Sequence, residues 1–382
     1  MMNFYALTPQ DAWFFRDGRP YNESESNQAD AVSQFPPSPR TISGATRAAL
    51  ARANGWDGRG QWDEKLNAIL GNGPEDLGNL QFFGPFLLKD SQPLFPAPLH
   101  LLGKREERTG DNKEKRWMPT AFLRPSDEAT STDIGEIRLP EIALVNPPND
   151  LKVAANRWIC AEGYAEILKG KLPDAKHLFA PDALWRTERR VGLKRNPDTL
   201  NTEEGALYSP AFVRLCKDVE LGFGLAGLTE GWEIPPRFPF GGESRLALCC
   251  EKTARTEVLP KCPALIPDNS FIHFTVIALT PVPANPAQKD ADIAGQLAIP
   301  GVEHICACVG KPVFFGGWNS LKRDPLPLSP FHPAGSAWFC KAPDTVWEKV
   351  SKLHGTWLEG KGLTAHGFGQ IVIGNWPSKT GN

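Results

Sequence analysis

The sequence predicts a duplicated α+β fold, and two observations lead to it. The first is an echo: Phe4-Tyr5-Ala6-Leu7-Thr8-Pro9 and Val276-Ile277-Ala278-Leu279-Thr280-Pro281 share an Ala-Leu-Thr-Pro ending. In both places apolar positions alternate up to a proline, which cannot donate to a sheet ladder and so stops a strand. The second is that each half closes alike, with glycines leading into an apolar run. The first closes with Gly241-Gly242-Glu243-Ser244-Arg245-Leu246-Ala247-Leu248, the second with His366-Gly367-Phe368-Gly369-Gln370-Ile371-Val372-Ile373. Matching landmarks in matching order put the boundary in the proline-containing stretch 260–268. An N-terminal domain is expected over 1–262 and a C-terminal one over 268–382.

Composition narrows the class. A chain of 382 residues, 41% hydrophobic, is long enough for two domains with real cores. Its 35 glycines and 36 prolines lie scattered among apolar runs, which reads as many short strands joined by turns. A net charge of −2 excludes a whole-surface polyanion binder, so nucleic acid would have to meet local basic patches. Eight cysteines are too few for a disulfide framework. Neither Cys249, Cys250 and Cys262 nor Cys306 and Cys308 have the spacing of a zinc ribbon or finger. No metal or other cofactor is expected. Residues 1–18 lack the basic lead and apolar stretch of a signal peptide, and the longest strongly apolar run, 271–279, is about half a membrane span. The expected location is the cytoplasm, with no membrane partner.

The first half is long for one small domain, so insertions are expected at 59–79, 104–117 and 127–150. The stretch 104–117 mixes basic and acidic residues and reads as a solvated loop. One helix is well marked. Ser38 suits an N-cap with Pro39 at the first helical position, alanine-rich 41–53 follows, and Asn54-Gly55 supplies the stop. At 100° per residue Ile42, Ala45, Ala49 and Leu50 share the face to be buried, while Arg40, Gly44, Arg47 and Ala51 share the opposite one. Glycine between two arginines would let another backbone come close; an ordinary solvent-exposed face is the alternative.

Three further features bear on chemistry. In Arg16-Asp17-Gly18-Arg19-Pro20 the Asp-Gly pair signals a turn, and the flanking arginines suit phosphate, or simply a surface ion pair. Residues 185–195 hold Arg186, Arg189, Arg190, Lys194 and Arg195 against Glu188, with Trp185 and later Tyr208 nearby. Cations interleaved with aromatics suit single-stranded nucleic acid, and a solvated basic loop is the plain reading. Glycine turns at Gly241-Gly242, Gly316-Gly317-Trp318 and Gly367-Phe368-Gly369 allow close backbone approach, yet none fits a nucleotide fingerprint. For enzymes, the seven histidines form no ligand pair and no Gly-x-Ser-x-Gly elbow occurs. His366, beside a glycine loop, is the one candidate general base for RNA cleavage.

These segments together resemble one family. Its motifs are found in order at Phe15 with Arg16-Asp17-Gly18-Arg19-Pro20, Phe35-Pro36-Pro37-Ser38-Pro39, Gly44-Ala45-Thr46-Arg47, Gly84-Pro85-Phe86 and Phe95-Pro96-Ala97-Pro98. Arg190-Val191-Gly192-Leu193, Glu204-Gly205-Ala206-Leu207-Tyr208, Gly241-Gly242-Glu243-Ser244-Arg245, Gly316-Gly317-Trp318 and the loop at 366–369 continue it. The order resembles the third subunit of the Cmr (type III-B CRISPR) effector complex, in the repeat-associated mysterious protein superfamily. That resemblance implies tandem ferredoxin-like (RRM-like) domains, the first with large insertions. It also implies a non-catalytic subunit that grips the 5′ tag of the guide RNA and docks on the large polymerase-like subunit and the backbone subunit. Carried over by position, the implied RNA contacts are Arg16, Arg19, Arg40, Gly44, Arg47, Arg190, Lys194, Arg195, Arg245 and the Gly367-Phe368-Gly369 loop, with 104–117 as a guide-kinking thumb. A guide-processing endoribonuclease using His366, or a scaffold that never touches RNA, are the rival readings.

Overall fold

A computed structural model describes residues 2–16, 29–107, 115–133, 135–195, 202–252, 258–284, 293–319, 324–358 and 362–378. It is strand-rich with few helices. The elements used below are, in chain order, β1 (Met2–Pro9), α1 (Pro39–Ala53), α2 (Glu64–Leu70), β2 (Gln81–Lys89), β3 (Gln92–Pro96), β4 (Leu101–Glu107), β5 (Lys115–Pro125), β6 (Trp158–Cys160) and α3 (Ala161–Leu168). They continue as β7 (Trp185–Arg189), β8 (Gly192–Arg195), β9 (Thr202–Leu215), β10 (Val219–Ala226), β11 (Leu246–Lys252), β12 (Phe271–Ala278), α4 (Ile293–Leu297) and β13 (Glu303–Cys308). The last are β14 (Val313–Asn319), β15 (Asp324–His332), β16 (Ala337–Pro343), α5 (Trp347–Lys352) and β17 (Ile371–Asn375). Among the described residues no helix is long and apolar enough to cross a membrane.

The chain divides into two compact units. One comprises Met1–Ser91, Asp182–Ala254 and Phe314–Ser329; the other comprises Gln92–Pro181, Arg255–Val313 and Pro330–Asn382. In the first unit four strands run antiparallel in the order β2-β10-β1-β11. The register sets Tyr5 against Phe223 on one side and Glu251 on the other. Leu7, Leu87, Leu221 and Phe223 are fully buried, and the Tyr5 ring stacks on Phe223 at 5.3 Å. Gly222 is a glycine for a packing reason: a Cβ there would stand 2.4 Å from the Phe86 ring. Helix α1 packs on β2 and begins as expected, with Ser38 Oγ accepting from the Thr41 amide, Pro39 in the first turn and Asn54 at the stop. Its faces differ from the expectation. Arg47 and Ala51 are buried together with Ile42, Ala49 and Leu50, and only Gly44 of the proposed polar face is fully exposed. The helix is covered on both sides because the turn after α2 folds over Arg47.

In the second unit the order is β13-β16-β12-β17, again all antiparallel. Ile272, Phe274, Val276, Trp338, Cys340, Ile371 and Ile373 form its core, joined by Ile293 and Leu297 of α4 and Val350 of α5. The predicted opening strands are β1 and β12, and the glycine-led runs lead into β11 and β17, each paired with its opening strand. Residues 104–107 and 115–117 are not loop, as expected above, but parts of the hairpin β4-β5, with Lys104 opposite Met118 and Arg105 opposite Trp117. Trp117 is buried over Gly103, and the Arg157 guanidinium lies 5.8 Å from its ring centre. An apolar anchor turned the charged stretch into strand.

Candidate nucleic-acid interface

The basic stretch after residue 185 becomes β7, paired antiparallel with β9 so that Arg186 faces Arg214 and Glu188 faces Phe212. A strand alternates its side chains, so Arg186, Glu188, Phe212 and Arg214 share one face of this ribbon. Asp11, after β1, and Arg245, before β11, come to the same place. Arg190 donates from Nε to Glu188 Oε1 at 2.7 Å and from Nη2 to Asp11 Oδ2 at 2.8 Å. Arg214 donates from Nε to Glu188 Oε2 at 2.7 Å and from Nη2 to Asp11 Oδ1 at 2.8 Å. Arg245 reaches Asp11 Oδ2 at 3.2 Å. The guanidiniums of Arg190 and Arg245 lie 4.9 and 4.4 Å from the centre of the Phe212 ring. The Arg245 Nε–H is buried without a hydrogen-bond acceptor, so the cation–π contact with Phe212 is part of what its guanidinium gains there.

Three guanidiniums against two carboxylates leave one net positive charge, held in fixed geometry at a half-exposed surface. The bonds from Arg214, then Arg190, hold both the Asp11 and the Glu188 carboxyls below the usual carboxylate range. A depressed carboxyl stabilises the fold fully above its unfolded value, near pH 4, and loses that contribution as pH falls through its folded value. Asp11→Asn is therefore expected to flatten the acid limb of a plot of unfolding midpoint against pH, below about pH 5. A limb as steep as that of the parent chain would mean the cluster is not formed in solution.

The other expected contacts scatter. Arg16 is exposed and bridges to Ser33, while Arg19 lies outside the described residues. Lys194 and Arg195 belong to β8, but their side chains are also outside them. Arg40 donates to Gly316 O at 3.3 Å and pairs with Glu75 at 3.1 Å, and burial lowers its pKa. Gly44 has open space where a Cβ would stand.

Arg47 is a correction. It is 5% exposed and gives Nε to Leu70 O (2.7 Å), Nη1 to Gly73 O (2.8 Å) and Nη2 to Gly71 O and Asp76 O (3.2 and 3.0 Å). Four of its five N–H donors are committed. Burial pushes its pKa down to about 10, so it stays charged at neutral pH, with its guanidinium 5.0 Å from the Trp62 ring centre. It shapes the 70–76 turn and has too few donors left for phosphate.

The Gly367-Phe368-Gly369 loop is also spent internally. Gly367 N–H donates to Thr364 O, Phe368 N–H to Leu363 O and Gly369 N–H to Pro281 O, at 2.9, 3.4 and 2.9 Å. Phe368 is buried and stacks on Phe331 at 4.8 Å, and His366 is 2% exposed. By contrast Gly241, Gly242, Glu243 and Ser244 are all exposed. Gly242 N–H is taken by Phe14 O at 2.8 Å, and Gly241 has room for no side chain, with Phe14 O 2.6 Å from its would-be Cβ. Sequence reasoning missed Asp11, Phe212 and Arg214, whose ends of the network are about 200 residues apart in the chain. Only the alternation of Phe212 with Arg214 hinted at them.

A family model described as CRISPR-associated protein (Cas_Cmr3) matches residues 5–376. Among solved structures, a chain of the type III-B Cmr-beta complex bound to cognate target RNA is 12% identical, with 96% of each chain covered and a TM-score of 0.50. A chain of the same kind of complex with target RNA and AMPPnP, state 1, is 15% identical over 88% of this chain and 86% of that one, with a TM-score of 0.48. A chain of the Csm3-Csm4 subcomplex of the type III-A CRISPR-Cas interference complex is 12% identical over 88% and 92%, at 0.37. At such identities the likeness speaks of fold alone. No curated protein matches. With a family model spanning residues 5–376, nearly its whole length, the chain belongs to the CRISPR-associated Cas_Cmr3 family.

Proposed function

We propose that the chain is the non-catalytic, RNA-binding component of a cytoplasmic type III-B CRISPR ribonucleoprotein. In this reading it holds the 5′ tag of the guide RNA and docks on the large polymerase-like subunit and the backbone subunit. The observation that carries the proposal is the convergence of Arg190 and Arg245 on the Phe212 ring, with Arg214 tied to them through Glu188 and Asp11. Guanidiniums already fixed by Asp11 and Glu188 lose little freedom on meeting phosphate, which they would reach with the N–H donors those carboxylates leave over. In the same unit Phe314 and Trp318 of β14 are 54% and 62% exposed, offering flat faces to unpaired bases.

The fold supports this reading. Within the larger sheets, the four strands named for each unit have the order second, third, first, fourth by chain position, and α1, α4 and α5 stand where a βαββαβ unit places helices. We read them as two ferredoxin-like domains, 1–262 and 268–382. The first carries 59–79 between its first helix and second strand, and 104–117 and 127–150 between its second and third strands, and an exposed glycine turn stands where its second helix would be.

Replacing Arg190, Lys194 and Arg195 together with alanine is expected to lower guide retention by the assembled complex about tenfold or more at 0.2 M salt, with a shallower salt dependence. Unchanged retention would remove this patch from the proposal. The endoribonuclease reading needs His366 at a surface, and its burial disfavours it. Metal-independent cleavage of labelled repeat RNA, abolished by His366→Ala, would reinstate it.

A further inference from the structure

Away from the arginine cluster, three metal-ligating side chains meet at the start of α3. Cys160 ends β6 and caps the helix, Glu162 stands in its first turn, and His177 returns on the short 3-10 turn Ala175–His177. Cys160 Sγ lies 3.1 Å from His177 Nδ1, and Glu162 Oε2 lies 3.7 Å from the same nitrogen. One donor atom from each residue falls within 4.8 Å of the other two. Donors around a single zinc-sized ion, with bonds of about 2.3 Å to sulfur and about 2.0–2.1 Å to nitrogen or oxygen, have separations of this order.

Two local choices go against the rules for starting a helix, and both serve this meeting. An N-cap is ordinarily Ser, Thr, Asp or Asn, whose oxygen accepts from a free amide. Cys160 occupies that position and makes no capping bond. Glycine is the poorest helix former after proline, yet Gly163 stands at the third helical position. A Cβ on Gly163 would lie 2.6 Å from His177 Cβ, so the missing side chain is what admits the imidazole. Asp174 fixes the approach from the other side, its Oδ1 accepting from the Lys176 amide at 2.9 Å. Departures from local preference that converge on one set of donors mark a site rather than a core.

We propose that Cys160, Glu162 and His177 bind one divalent cation of the zinc class. A thiolate, an imidazole and a carboxylate suit a borderline-soft ion, and three protein donors leave one position open. The Cys160 thiol proton leaves to solvent as the sulfur–metal bond forms, and His177 binds through Nδ1. Cys160 is buried and the Glu162 side chain is 72% exposed, so the open position faces outward, toward water or a donor from a neighbouring macromolecule.

The test is zinc binding by the full-length chain after chelation and re-addition, read by equilibrium dialysis, with cobalt(II) as the spectroscopic stand-in. One zinc per chain is expected, with a sulfur-to-cobalt charge-transfer band. Since even residues that merely orient ligands cost 10–100-fold in metal affinity, Cys160→Ser and His177→Ala should each weaken binding by at least about 100-fold. Glu162→Gln, at an exposed position that does not endanger folding, should weaken it about tenfold or more, and Cys250→Ser should leave it unchanged. No stoichiometric zinc, or unaltered affinity in Cys160→Ser and Glu162→Gln, would overturn the proposal.

Discussion

Replacing Arg47 with alanine is expected to cost about 3–5 kcal/mol of stability, because it orphans buried acceptors rather than removing one contact. The carbonyls of Leu70, Gly71, Gly73 and Asp76 all accept from this one guanidinium. A buried carbonyl without a partner costs about 1 kcal/mol or more. The Leu70 and Gly71 carbonyls are buried, those of Gly73 and Asp76 partly so, and the charge-assisted bonds to all four are lost together. The turn has no easy way to relax, since Gly71 sits at φ +80° with the Asp76 carbonyl 2.1 Å from where a Cβ would be. Arg47→Lys should recover little, because an ammonium cannot span the fork of acceptors. Urea unfolding of the two variants decides the matter. A loss near 1 kcal/mol in Arg47→Ala, or full rescue by lysine, would mean that Arg47 is not what holds this turn.

Thr280→Val is expected to cost about 2–4 kcal/mol although it keeps the side-chain shape. The Thr280 hydroxyl donates to Gly367 O at 2.7 Å and accepts from the Gln370 amide at 2.9 Å, both buried. Valine leaves a carbonyl and an N–H unmet in a water-free place. Thr280→Ser keeps both bonds and should lose under about 1.5 kcal/mol, chiefly the methyl group. Equal losses for the two variants in thermal unfolding would show the hydroxyl to be dispensable.

How much of this was legible in the sequence depends on how local each cause is. Ser38 and Pro39 set a helix start within four residues, and the helix is there. The Ala-Leu-Thr-Pro echo falls at the ends of two strands placed alike in their sheets, since alternation and a proline stop act locally. The polar face assigned to α1 was not legible, because Arg47 is buried by a turn about 25 residues further on, which a helical wheel cannot see. Nor was the strand character of 104–107 and 115–117, where pairing across the hairpin and burial of Trp117 outweighed the charges. The basic patch was visible as composition, but its partners Asp11 and Arg214 were not, since they meet only through strand pairing. His177 and Cys160, 17 residues apart, match no motif spacing for the same reason.

The two glycine turns that precede β11 and β17 have parted ways. One stands open beside the arginines, with only its inner amide tied to Phe14; the other is sealed, each amide bonded and its aromatic stacked inside. A glycine turn whose amides and aromatic ring are all spent inside the fold has nothing left to offer the outside. Drift at the sealed turn is constrained by what the fold can tolerate, whereas at the open one it is free to follow whatever the chain must grasp.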